Sequence, residues 1–137
     1  MTRLPPFPPA VIVHGLEGAR AALAPGRPVT LLSAPGAGLY AGCGWWRALV
    51  RLAGAEAAGI ADILDCADAA GCAFAALRLR QRWLVLSPDA PGFAAVAAAA
   101  EAQGGGVLPA PPPALDLAAP GAGRALPAWL AAAGTRA

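Results

Sequence analysis

His14, Ser33, Asp65, Cys66, Asp68, Ser87 and Asp89 hold most of the side-chain chemistry that this chain possesses. Each follows a short apolar run. His14 closes AVIVHG, Ser33 closes PVTLLS, Asp65, Cys66 and Asp68 close IADILDCAD, and Ser87 and Asp89 close RWLVLSPD. An imidazole near a carboxylate can move protons, and a serine or thiolate beside it can act as a nucleophile. The turns after Ser33 and Ser87, SAPG and SPDAPG, lead into helix-like segments. Such turns present backbone N–H groups and partial positive charge, which favour an anion.

Each sharp reading has a plainer one beside it. Asp68 and Asp89 stand where helix N-caps are wanted. Ser33 and Ser87 suit local backbone donors, His14 suits a hydrogen-bonded loop position, and the cysteines suit small buried apolar sites. A serine hydrolase lacks its G-x-S-x-G elbow here, since Ser33 stands in LLSAP and Ser87 in VLSPD. A thiol enzyme using Cys66 with His14 and Asp65 would require a depressed thiol pKa.

The stretch Gly36-Ala37-Gly38-Leu39-Tyr40-Ala41 matches the G-x-G-x-x-A dinucleotide fingerprint. Ala34 and Pro35 separate the strand from the first glycine, and Asp65 lies beyond the usual interval of about 20 residues. A looser ligand loop and a packing turn are the other readings, with Gly42, Gly44, Trp45 and Trp46 fitting close helix approach.

Absences narrow the chemistry further. The chain has no lysine, which removes Schiff-base catalysis and the Walker phosphate loop. A single histidine precludes a multi-histidine metal site in one chain, and three cysteines without C-x-x-C spacing argue against zinc and a disulfide framework. No metal and no cofactor are therefore expected. The reduced thiols and the proline-interrupted N-terminus suit a cytoplasmic protein.

These residues must be positioned by alternating elements. Strands are expected at 10–15, 28–34, 60–67, 82–87 and 105–110, with helices at 16–24, 39–54, 69–81 and 90–103. That alternation predicts an α/β fold: an open, mainly parallel five-stranded sheet with helices on both faces. Half of a (β/α) barrel, completed by a second chain, is the alternative. Residues 1–110 read as one α/β domain. Residues 111–137 read as a Pro/Gly-rich tail, with a short helix at 126–134 that packs on its own domain or on a second subunit.

A parallel sheet brings His14, Ser33, Gly36, Gly38, Tyr40, Asp65, Cys66, Asp68, Ser87 and Asp89 to one rim, where α/β proteins bind ligands. At 58% apolar and 13% charged, the 137 residues are far from a disordered composition. The ten basic residues are scattered arginines, apart from Arg78, Arg80 and Arg82, which read as a solvated strand entrance. No stripe for nucleic acid results. The uncharged stretch 28–46 is too rich in proline and glycine for a membrane helix.

The span Asp68–Leu108, with RWLVLSPDAPG and GGVLP, resembles the later βα units of the KDPG-aldolase type of barrel. That family acts through a lysine absent here, so its activity does not transfer. The stretch 28–87 is similar to small bacterial proteins with no assigned role. The expected function is non-catalytic: a small anionic or polar ligand bound at the strand ends, in a chain that is a homodimer or a partner subunit. An enzyme using His14, Asp65 and Cys66, and a purely structural module resting on Trp45, Trp46 and Trp129, are the alternatives.

Overall fold

The computed structural model describes residues 4–132. Its strands are β1 (Ala10–Val13), β2 (Thr30–Ser33), β3 (Asp62–Asp65), β4 (Trp83–Val85), β5 (Gly106–Leu108) and β6 (Ala114–Asp116). All pair in parallel in one sheet of order β5-β4-β3-β2-β1-β6. The helices are α1 (Leu16–Leu23), α2 (Ala37–Tyr40), α3 (Cys43–Leu52), α4 (Ala70–Arg78), α5 (Phe93–Ala102) and α6 (Ala122–Ala132).

Short β-branched and leucine-rich runs such as AVIV and TLLS can be buried on both faces, as parallel strands require. One face carries Val11, Val13, Leu31, Leu64, Leu84 and Leu86, packed with Ala19, Trp46, Leu49, Ala73, Leu77, Val96, Leu126 and Leu130 from the helices. The other carries Leu32, Ile63, Trp83, Val85 and Leu108, with Ile12, Ala114, Leu4 and Phe7 against them, and no helix residue joins that cluster. Phe7 meets Trp83 edge-on, ring centroids 5.2 Å apart. The incoming chain is fixed by Thr30, whose N–H donates to Pro9 O (2.8 Å) and whose Oγ1 donates to Pro8 O (2.9 Å).

Two expectations are corrected here. The sheet has six strands instead of five, and helices cover one face instead of both. From β1 to β5 every strand is laid beside its predecessor in the same direction. Right-handed crossovers then put every connecting helix on the same side. Helices on both faces require the order to reverse direction after a crossover helix, and here it does not.

The sixth strand comes from the segment read as a tail. β6 pairs with β1, at the far edge from β5, yet only residues 109–113 join the two. A flat sheet would separate these edges by five spacings, about 24 Å. The six steps from Leu108 to Ala114 reach at most about 22 Å. The sheet therefore curls, with helices outside and the helix-free face concave. α6 begins at Ala122 and continues through Pro127, because buried Leu126 and Leu130 hold successive turns in place.

Candidate functional site at the carboxyl ends of the strands

With every strand parallel, His14, Ser33, Asp65 and Ser87 emerge at one end of the sheet. A recurring local device shapes that rim. Asp65 Oδ1 accepts the N–H of Ala67 (2.8 Å), Ser87 Oγ accepts that of Asp89 (3.3 Å), and Asp116 Oδ1 accepts that of Ala118 (2.9 Å). In each case a side-chain oxygen at or just beyond a strand end captures the donor two residues on and bends the chain away from the sheet. Ser33 works between strands: its Oγ accepts the N–H of Asp65 (2.9 Å) and donates to Ala34 O (3.2 Å).

A cavity of about 590 Å³ opens at this rim. Gly36, Asp65, Asp68 and Ser87 line it, walled by Pro35, Val85 and the start of the connector, Pro109 to Pro111. Asp65 is 5% exposed. With Oδ1 given to Ala67, its Oδ2 has no hydrogen-bond partner among the described residues. Asp68 is exposed and caps nothing, since α4 begins after Ala69 without a side-chain cap. Asp89 likewise leaves α5 uncapped, the N-cap of that helix being Gly92. Two carboxylates and a hydroxyl thus share a mouth without a basic side chain, and the local potential favours hydrogen-bond donors and cations.

The other residues expected at the rim lie apart from this cavity. His14 Nε2 sits 2.7 Å from Asp116 Oδ1, and His14 lines a separate cavity of about 390 Å³ with Glu17, Leu117 and Ala118. β1 and β3 are two strand spacings apart, so His14 faces a carboxylate other than Asp65. The hydrogen bond from Ala118 N–H, and next the contact with His14, hold the Asp116 carboxyl below its ordinary value. Tyr40 is 70% exposed on α2.

Gly38 is a packing position. A Cβ there would fall 2.8 Å from Cys72 Sγ, 3.1 Å from Asp65 O and 3.2 Å from Cys66 Sγ. The glycine pattern of the fingerprint therefore serves close approach of α2 to α4 and β3. Cys66 is fully buried in the helix-side core, and burial first, then the bond it donates to Cys72, push its thiol far up. A thiol so held is a poor source of nucleophilic thiolate.

Asp116 was invisible as a rim residue because β6 was not anticipated. Its only signal was apolar alternation in ALDL, within a proline-rich stretch. Among the described residues no cluster of histidine, cysteine and carboxylate side chains is arranged to hold a metal ion, and no helix is long and apolar enough to cross a membrane. No family model, no curated protein and no solved structure matches the chain.

Proposed function

We propose that this chain is a non-catalytic binding protein that takes a small polar ligand at the carboxyl ends of β3 and β4. One observation carries the reading: Asp65, Asp68 and Ser87 share a concave mouth that has no basic side chain. Of the two ligand chemistries expected from the sequence, this favours the polar one over the anionic one. Hydroxyl and ammonium groups donate to carboxylates, and the proline walls give an apolar surface for the ligand's carbon skeleton.

The experiment is calorimetric titration with a panel of polyols, primary amines and carboxylates. Binding of a polyol or amine, weakened roughly tenfold in Asp68→Ala, is the expected result. The melting temperature of that variant should barely change, because the Asp68 carboxylate makes no hydrogen bond or ion pair among the described residues. Binding that ignores Asp68, or selective binding of carboxylates at this mouth, would overturn the reading.

A second reading rests on His14 and Asp116. A carboxylate 2.7 Å from one imidazole nitrogen orients the ring and leaves the other nitrogen for proton abstraction. The enzyme hypothesis then moves from His14, Asp65 and Cys66 to His14 with Asp116. His14 and Glu17 are the reactive side chains that line that cavity, so the reaction would rest on proton transfer by an imidazole and a carboxylate. Self-association remains a proposal, tested by sedimentation. Trp46 and Trp129 bond within the chain, to Asp62 and to Ala10 O, and Trp45, partly buried against the helix-side core and Trp46, keeps some exposed surface for an interface.

A further inference from the structure

A third cavity, of about 490 Å³, is lined by Gly44, Arg47 and Arg51 of α3, by Glu56, and by Leu79 and Arg80 just after α4. Arg47 is largely buried, its Nη2 3.0 Å from Asp62 Oδ1 in an ion pair, while its buried Nε and Nη2 make no hydrogen bond among the described residues. Arg51 and Arg80 have no ion-pair partner among the described residues, and neither has Glu56, although all three line the same space. Two exposed arginines and one exposed glutamate thus border one cavity without pairing among the described residues.

The backbone at Arg80 supplies an independent observation. α4 ends with Arg80 N–H donating to Leu77 O and Gln81 N–H to Ala76 O, both 3.0 Å. α3 and α5 end in the same paired pattern: Gly54 to Arg51 O with Ala55 to Val50 O, and Gly104 to Glu101 O with Gly105 to Ala100 O. This termination places one residue in the left-handed region, where glycine is preferred. Gly54 (φ 85°) and Gly104 (φ 84°) fill it in α3 and α5, whereas α4 uses Arg80 at φ 67°. An arginine in that conformation costs stability that glycine would not. Arg80 lines the same cavity as Arg51.

We propose that this cavity binds a small oxyanion, phosphate or carboxylate, between the Arg51 and Arg80 guanidiniums. The planar fork of arginine donates two parallel N–H bonds to such oxygens, and two forks can share one ligand. Glu56 opposes the anion and limits its charge. The site is separate from the strand-end mouth, whose carboxylates select the opposite ligand chemistry.

The test is titration of the full chain with inorganic phosphate at constant ionic strength, followed by amide NMR shifts, with malonate as the carboxylate arm. Saturable shifts at Gly44, Glu56 and Leu79 are expected. Arg51→Gln should weaken binding roughly tenfold. Arg80→Gly should weaken it similarly while raising the melting temperature, so loss of binding cannot be loss of fold. Glu56→Gln should tighten it. Tighter binding of phosphate identifies a phosphoryl ligand, and tighter binding of malonate a carboxylate. Shifts that do not saturate with either probe, full affinity in Arg80→Gly, or no gain in Glu56→Gln would overturn the proposal.

Discussion

His14 and Asp116, 102 positions apart in sequence, meet at 2.7 Å and join the end of β1 to that of β6. Their contact adds a side-chain tie to the three residue pairs that dock the edge strand, Ala10 with Ala114, Val11 with Leu115 and Ile12 with Asp116. Both side chains are about two-fifths exposed, at 42% and 41%.

The acid limb of stability should report this tie. The carboxyl of Asp116 is held below its ordinary value, first by Ala118 N–H and then by His14. A depressed folded pKa contributes stability that is complete above the unfolded value, near pH 4, and is lost as pH falls through the folded one. Asp116→Ala should therefore lose less stability than the wild type between about pH 5 and 3. Solvent screening limits the difference to about 1 kcal/mol or less. Urea midpoints across that range check it, and parallel slopes for the two proteins would count against the tie.

Asp62 should matter far more. Its Oδ2 accepts from Trp46 Nε1 (2.8 Å) and Gln81 Nε2 (2.9 Å), and its Oδ1 faces Arg47. Asp62→Ala leaves a largely buried guanidinium without its counter-ion, an indole N–H without its acceptor, and the Gln81 amide with Trp83 O as its remaining close acceptor. A loss of about 3–5 kcal/mol is expected by chemical denaturation, because removing one partner strands the others. Trp46→Phe should cost about 1–3 kcal/mol, since it shrinks a core side chain and removes one hydrogen bond.

The thiols should differ in reactivity. Cys66 is fully buried and its thiol is pushed far up by burial, while Cys72 is shifted up less strongly and is only partly buried. Alkylation of the native chain near neutral pH, mapped by mass spectrometry, should modify Cys43 first, then Cys72, and Cys66 only as the chain unfolds. Early modification of Cys66 would contradict its placement beneath α2.

Much of this architecture was legible from local pattern. AVIV, TLLS, DILD and WLV are strands because short runs of leucine, valine and isoleucine sit between turn residues. The helix expected over 39–54 divides into α2 and α3 because Gly42, at φ 95°, breaks the backbone before Cys43. Apolar period continues across that break, so period alone could not find it. The strand order was not legible: whether each strand is added in the same direction leaves no mark on a single run of residues. β6 was missed for a related reason. ALD is too short to declare itself among prolines, and its pairing with β1 spans most of the chain. Asp65, Asp68, Gly36 and Ser87 could be placed beside one cavity from the sequence because strand ends share a rim. Asp116 could not be placed at the rim, because its strand was not found.

The connector 109–113, Pro-Ala-Pro-Pro-Pro, acts like a bowstring on the arc of the sheet. Proline-rich chain is stiff and offers few N–H groups, so this segment cannot readily join the ladder as a further strand between β5 and β6. It sets the distance between the two free edges without bridging them by hydrogen bonds. Each added residue would let the arc relax outward and widen the mouth, part of whose wall this segment forms. The curvature of the molecule is thus set by a stretch of sequence outside every regular element.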